Sequence, residues 1–133
     1  MSMYRLGTRS INNLEGVHPD LVKVVKRAIE ITVLDFGVSE GLRSMDRQHT
    51  LFATNKSKTL NSMHLEQADG YSHAVDLYVY DQNGKMTWEH KYFRNVIQAM
   101  MTAAIECEVQ IIAGGLWRNF LDSPHFELNK SYY

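Results

Sequence analysis

The sequence predicts an α+β domain, because helical and β-rich segments follow one another in mixed order along its 133 residues. Two long segments have the 3.6-residue apolar spacing of an amphipathic helix. Short β-branched and aromatic segments lie between and after them, and one Asn-Gly turn predicts a hairpin. The length suits one compact domain with its own core and is too short for two.

The first half of the chain predicts a helix followed by a short strand. The helix should run from Pro19 to about Val33, because proline suits a first helical turn and an apolar face follows it. That face consists of Leu21, Val25, Ala28, Ile29 and Thr32. The segment DFGVSEGLRS (35–44) reads as a short strand that leaves through a glycine turn, with Arg43 at its exit.

The middle of the chain predicts a short helix, a long loop and a hairpin. Asp46 is positioned to cap a helix that ends near Ala53. The polar segment 55–72 is best interpreted as a loop, and loops of that length in a compact domain are usually functional or disordered. HAVDLYVY (73–80) has strand composition, and DQNGK (81–85) carries the signal of a tight turn.

The second half predicts a long helix and two final strands. The helix spans about Glu89 to Cys107 and has one apolar stripe, formed by Tyr92, Val96, Met100, Ala103 and Cys107. VQIIAGG (109–115) and HFEL (125–128) are the last strand candidates.

Composition excludes several classes of protein. The formal charge is −1, so the chain has no basic excess with which to neutralise phosphates, and we expect no nucleic-acid partner. Cys107 is the single cysteine, so no intrachain disulfide can form. The N-terminal MSMYRLGTRS does not resemble a signal peptide, and no apolar run is long enough to span a bilayer. We therefore expect a monomer that folds in a cytoplasm and does not insert into a membrane.

Three residues stand out as candidate metal ligands: His64 in the long loop, Asp76 in an apolar strand and His125 at the start of the last strand. A buried Asp needs a strong partner, and a metal ion is one such partner. Two imidazoles and one carboxylate leave a position on zinc open for water, which is typical of catalytic sites. From these residues alone the alternative stays open, in which Asp76 bonds to loop amides and the two histidines are unrelated.

Two further residues could take part in chemistry. Asp122 lies three residues before His125 in the turn DSPH (122–125), where it could take a proton from a water molecule; the alternative is an ordinary turn aspartate. Arg43 could bind a developing oxyanion or a substrate carboxylate; the alternative is a surface ion pair.

The segment SMHLEQADGYSHAVDL (62–77) resembles the Ser-x-His…Ala-x-Asp signature of the zinc D-Ala-D-Ala carboxypeptidases and dipeptidases. The likeness is greatest to the L-alanyl-D-glutamate endopeptidase branch, which includes many phage endolysins. It extends from about Ile11 to Leu128 and keeps the order of the motifs. The matching stretches are NNLEGVHPDLVKVVKRAIEI, DFGVSEGLRS, KTLNSMH, HAVDL and GGLWRNFLDSPHFEL.

The resemblance implies a site and a fold. Zinc would be held by His64, Asp76 and His125, with Asp122 as general acid and base. Arg43 would polarise the scissile carbonyl. Ser62, two residues before His64, would support the site without binding the metal itself. The family fold, shared with the hedgehog signalling domain, is a small antiparallel sheet flanked by helices.

This chain departs from the family motif His-x-x-Gly-x-Ala-x-Asp by an insertion in EQADGYS (66–72). His73 and Asp69 therefore also lie near the motif, but Asn61, Ser62 and Leu65 favour His64 as the ligand. The insertion could reshape the rim of the site, alter specificity, or hold an accessory ion through Glu66 and Asp69.

The resemblance implies hydrolysis of the L-Ala–D-Glu bond in peptidoglycan stem peptides by a single catalytic domain, residues 1–133, without a separate wall-binding module. The enzyme would be made in the host cytoplasm and would reach the periplasmic wall after holin-type release. Two alternatives are a zinc D,D-carboxypeptidase acting on D-Ala-D-Ala termini and a zinc-binding domain without activity.

Overall fold

The computed structural model describes residues 3–118 and 121–133 and confirms the α+β class. Its elements in chain order are α1 (Thr8–Asn13), α2 (Pro19–Ile31), β1 (Phe36–Glu40), α3 (Met45–Ala53), β2 (Ala74–Tyr80), β3 (Met86–Thr87), α4 (His90–Cys107), β4 (Ile111–Ala113), a 3-10 turn (Gly114–Leu116) and β5 (His125–Leu128). The strands form one antiparallel sheet in the order β1-β2-β5-β4, and β3 pairs with the end of β2.

The two faces of the sheet have different roles. On β2, Val75, Leu77 and Val79 are fully buried and belong to the same core cluster as the apolar faces of α2 and α4. Full burial of each such side chain contributes about 1.5–3 kcal/mol to stability. Because side chains alternate along a strand, Asp76 must point to the opposite face. The helices thus cover one face, and the other face is left for chemistry.

Helix α2 begins at Pro19 as predicted and is capped by His18, whose Nδ1 accepts a hydrogen bond of 3.0 Å from the backbone N–H of Asp20. It ends at Ile31, slightly before the predicted Val33, because Thr32 has an extended backbone with ψ 146°.

The predicted role of Asp46 as the cap of α3 is wrong. Ser44 is the N-cap, and its Oγ accepts a hydrogen bond of 3.1 Å from the backbone N–H of Arg47. Asp46 lies in the first turn instead, where a carboxylate still interacts favourably with the helix dipole.

A β-bulge in β1 decides which side chains face the site. Val38 pairs with Leu77, but the register then shifts so that Glu40, rather than Ser39, lies opposite Asp76. The extra residue reverses the alternation of the strand. Neither this bulge nor the short helix α1 has a local sequence signal, whereas β3 is the second strand of the hairpin predicted from the Asn-Gly turn.

Candidate metal centre

The register of two antiparallel strands brings Asp76 and His125 together. Asp76 on β2 is the direct partner of His125 on β5. Side chains of directly opposed residues have Cβ atoms about 4.5–5.5 Å apart. Phe126, the next residue on β5, is fully buried in the core, so His125 points to the other face of the sheet.

His64 reaches the same point from the long loop, whose backbone is pinned on both sides. The carbonyl of His64 accepts from the backbone N–H of Arg43 at 2.9 Å, and the carbonyl of Met63 accepts from that of His73 at 2.9 Å. Ser62 supports the turn, because its Oγ accepts from the backbone N–H of His64 at 3.1 Å. The imidazole of His64 is buried, with only 2% of its side chain exposed.

The three predicted ligand residues form one compact group. Asp76 Oδ1 lies 3.1 Å from His64 Nε2 and 3.1 Å from His125 Nδ1. One ligand atom from each residue lies within 4.8 Å of the other two, an arrangement that could hold a metal ion.

The outer nitrogens of both imidazoles are already engaged. His64 Nδ1 lies 2.9 Å from the carbonyl oxygen of Gly41, and His125 Nε2 lies 2.8 Å from Glu127 Oε1. Oxygen acceptors at these positions require N–H donors, so in the neutral rings the inward nitrogens carry lone pairs. Two lone pairs and a carboxylate oxygen then face one another, an arrangement that favours a metal ion or a proton between them.

The electrostatics of the metal-free group agree with this interpretation. Burial acts to raise the pKa of Asp76, but hydrogen bonds from His125 and His64 outweigh burial and hold that pKa well below its ordinary range. Burial acts to lower the pKa of His125, but the hydrogen bonds to Asp76 and Glu127 outweigh it and raise that pKa to about 9. A proton on His125 and a metal ion are therefore alternative occupants of the same position.

These pKa shifts predict the pH dependence of the metal-free fold. The lowered pKa of Asp76 stabilises the fold above its unfolded value of 3.8, and the raised pKa of His125 stabilises it below its unfolded value of 6.5. We expect the free energy of unfolding in chelator to fall as the pH rises from 6.5 to about 9. Urea titrations between pH 6.5 and about 9 measure the free energy of unfolding. A urea midpoint that does not change with pH would contradict the expectation. So would a His125→Asn variant whose stability depends on pH as the wild type's does.

Asp122 lies beside the group on the turn that precedes β5. Its backbone is fixed at both ends, since its N–H donates to the carbonyl of Gly114 at 3.0 Å and its carbonyl accepts from the N–H of His125 at 3.1 Å. Within residues 3–118 and 121–133, no group donates a hydrogen bond to its carboxylate. Burial, and then repulsion from Asp76, raises the pKa of Asp122. A carboxylate in such a setting is suited to exchanging a proton.

Gly114 makes this turn possible. A Cβ at this position would lie 2.4 Å from the carbonyl oxygen of Asp122 and 3.0 Å from His125 Cβ. We expect Gly114→Ala to destabilise the fold by about 1–3 kcal/mol, a typical cost of overpacking, and to weaken metal binding. Thermal unfolding with and without metal checks both effects. Gly7→Ala is the matched control, because a Cβ there meets nothing within 4 Å; equal melting temperatures for the two variants would contradict the role of Gly114.

Arg43 is buried rather than paired at the surface, with 8% of its side chain exposed. One terminal nitrogen, Nη2, donates to Glu40 Oε1 and lies 3.7 Å from Asp76 Oδ2. The other, Nη1, donates to Gln48 Oε1 at 2.8 Å. Its Nε has no hydrogen-bond partner in the described part of the chain.

The metal group, Asp122 and Arg43 share one cleft of about 460 Å³. Its wall is completed by side chains from α3, from the loop 56–63, from the segment after β4 and from β5: Arg47, Leu51, Lys56, Ser57, Lys58, Thr59, Asn61, Ser62, Met63, Trp117 and Glu127. Glu40 lies in the floor beside Arg43.

The other histidines lie outside the metal group. His73 Nε2 is 2.7 Å from Asp69 Oδ2, and His18 Nε2 is 3.7 Å from the same oxygen. The insertion thus folds onto α2 rather than over the cleft, and none of its residues lines the cleft. His90 Nδ1 lies 2.6 Å from Ser123 Oγ and so ties the Asp122 turn to α4, a contact that the sequence analysis missed. His49 lies exposed on α3.

Comparisons with known proteins agree with the resemblance. The family described as phage L-alanyl-D-glutamate peptidase matches residues 1–129. The L-alanyl-D-glutamate peptidase of Escherichia phage T5 is 28% identical over 131 residues, which cover 98% of this chain and 93% of the relative. The peptidoglycan L-alanyl-D-glutamate endopeptidase CwlK of Bacillus subtilis (strain 168) is 26% identical over 108 residues, covering 71% of this chain and 61% of CwlK.

One solved structure is similar to this protein over almost the whole length of both chains. The crystal structure of the Serratia marcescens L-Ala D-Glu endopeptidase ChiX is 39% identical, covers 98% of this chain and 95% of ChiX, and has a TM-score of 0.86. The arrangement of sheet and helices around the cleft is therefore that of a solved endopeptidase.

Proposed function

The chain belongs to the phage L-alanyl-D-glutamate peptidase family, and from this membership we propose that it is a zinc-dependent endolysin that hydrolyses the L-Ala–D-Glu bond of peptidoglycan. The proposal rests on the convergence of His64, Asp76 and His125 in one cleft with Asp122, whose carboxylate accepts no hydrogen bond from the described residues.

Zinc is the proposed metal because of the ligand set. Two imidazole nitrogens and one carboxylate oxygen suit zinc, whereas calcium and magnesium prefer oxygen ligands. His64 Nε2, Asp76 Oδ1 and His125 Nδ1 would hold the ion, with Gly41 and Glu127 fixing the two rings from behind. When bound, zinc supplies a Lewis acid that makes water acidic and polarises a carbonyl group.

Asp122 is the proposed general base and acid. Its carboxylate takes a proton from the attacking water and returns one to the amine of D-Glu as the peptide bond breaks. Both transfers require a group that is readily protonated and deprotonated, which means a pKa near the working pH. The raised pKa of Asp122 is closer to neutral pH than that of an ordinary aspartate. A structural metal site has no use for such a carboxylate, so this feature argues against a domain without activity.

Arg43 is the proposed electrostatic stabiliser. Its guanidinium is buried at the floor of the cleft, and hydrogen bonds to Glu40 and Gln48 hold it in place. A fixed positive charge of this kind stabilises the negative charge that develops on the carbonyl oxygen.

Product analysis tests the proposed bond. Purified muropeptides are incubated with the protein and separated for mass spectrometry, with a chelator-treated sample as control. We expect new fragments that end in L-Ala and new fragments that begin with D-Glu, both absent in chelator. Release of free D-Ala alone would contradict the endopeptidase assignment and identify a D,D-carboxypeptidase.

The proposed organisation is a monomer made in the host cytoplasm, with one catalytic domain in residues 1–133 and access to the wall after holin-type release. One sheet and one core cluster include residues from Leu14 to Leu128, which supports a single domain. None of the described helices is long and apolar enough to cross a membrane. Gel filtration with light scattering measures the oligomeric state, and a dimeric mass would contradict the monomer.

A further inference from the structure

Two lysines in the wall of the cleft have side chains with no ion-pair partner among residues 3–118 and 121–133. Lys56 and Lys58 are exposed and line the same cleft as Asp76 and Asp122. Among the described residues, neither forms an ion pair, whereas the other two cations of the cleft, Arg43 and Arg47, both contact Glu40. Among the described cations that line the cleft, the two lysines are therefore those whose charge no carboxylate pairs.

The loop that carries these lysines is held firmly. Gln48 is fully buried on α3, and its Nε2 donates to Ser57 Oγ at 2.9 Å and also to the carbonyl of Thr59. The carbonyl of Leu51 accepts from the backbone N–H groups of Lys56 and Ser57 at 2.8 and 3.0 Å. The same Gln48 accepts from Arg43, so one hydrogen-bond network fixes the lysine loop relative to the floor of the cleft.

The floor of the cleft contains the carboxylates of Glu40, Asp76, Asp122 and Glu127, and both arginines of the cleft contact Glu40. Without the lysines, acidic side chains therefore outnumber basic ones in the lining. An anionic substrate would meet repulsion from this floor, and the repulsion is stronger in a partly desolvated cleft than in bulk water. The two lysines in the wall offset that repulsion.

The scissile bond of the proposed reaction has a carboxylate next to it. In a stem peptide, D-Glu is linked onward through its γ-carboxyl group, so its α-carboxyl group stays free and lies one carbon from the scissile nitrogen. In some stem peptides this group is amidated and carries no charge. An ammonium group binds the carboxylate form through a charged hydrogen bond, which the amide form cannot match.

We propose that Lys56 and Lys58 are specificity-determining residues that bind the free α-carboxylate of D-Glu, which makes unamidated stem peptides the preferred substrate class. The inference rests on the proposed function. Loss of a charged hydrogen bond costs about 1.5–3 kcal/mol, so the preference should be about tenfold or more in kcat/KM.

The test compares two synthetic stem peptides that differ only in the α-carboxyl or α-carboxamide of D-Glu, using the zinc-loaded full chain. We expect kcat/KM for the acid form to exceed that for the amide form about tenfold or more. In Lys56→Ala/Lys58→Ala, KM for the acid form should rise about tenfold, kcat should change little, and the preference should disappear. Lys56→Arg/Lys58→Arg should keep the preference, because both positive charges remain.

Lys85→Ala is the matched control, because Lys85 lies on the turn between β2 and β3 and does not line the cleft. It should behave like the wild type. Equal cleavage of acid and amide by the wild type, or an unchanged preference in the double alanine variant, would overturn the inference and leave the proposed function standing. Failure to cleave either peptide would overturn the proposed function and this inference with it.

Discussion

Asp122→Asn is expected to lower kcat for cleavage of the L-Ala–D-Glu bond by about 10²–10⁴-fold while the zinc content stays unchanged. The amide keeps the size of the side chain but cannot accept and return a proton. Because Asp122 is not one of the three residues whose ligand atoms converge, its replacement should leave metal binding intact. Steady-state kinetics together with metal analysis of the same sample measure both quantities.

The same variant should not lose stability. The fold raises the pKa of Asp122, so its ionised form costs folding free energy at neutral pH, and the neutral Asn removes that cost. In chelator at pH 7, the melting temperature of Asp122→Asn should equal or exceed that of the wild type. A variant that keeps wild-type kcat, or one that unfolds at a lower temperature, would contradict the role given to Asp122.

Asp76→Asn is expected to remove both zinc and activity. A neutral amide oxygen is a poor zinc ligand, and loss of the carboxylate leaves only two imidazoles to hold the ion. Replacing a residue that only supports a metal ligand costs about 10–100-fold in metal affinity. Loss of a ligand itself should therefore cost more. Competition with a coloured zinc chelator measures the affinity, and peptide hydrolysis measures the activity.

Asp69→Asn is the matched control for Asp76→Asn. Asp69 also faces two imidazoles, those of His73 and His18, but it lies on the insertion outside the cleft. Its replacement should leave zinc affinity and kcat within about twofold of the wild type, as expected for a surface side chain. If Asp69→Asn lost zinc and Asp76→Asn kept it, the assignment of the metal centre would be wrong.

Much of the fold could be predicted from local patterns. The apolar periodicity of α2 and α4 and the Asn-Gly turn after β2 depend on neighbouring residues, so the sequence contains the signal directly. The cap of α3 was predicted wrongly because Ser44 and Asp46 are both good capping residues, and only the backbone path selects between them. The bulge before Glu40 was missed because it depends on pairing with β2.

The site was partly predictable for a similar reason. Motif residues can be recognised by type and spacing, whereas their supports come from distant parts of the chain. Gln48 and Glu40 hold Arg43 through tertiary contacts that leave no local pattern. Glu127 could have been found, because it lies two residues after His125 on a strand and so shares its face.

Zinc stoichiometry of catalysis tests the central claim most directly. The chain is stripped with a chelator, dialysed and titrated with zinc, while cleavage of an unamidated stem peptide is followed by mass spectrometry. One zinc per chain should restore full hydrolysis in the wild type, and His64→Ala should show no recovery at that ratio. Full hydrolysis by the stripped wild type, or equal recovery in His64→Ala, would contradict a zinc centre formed by residues 64, 76 and 125.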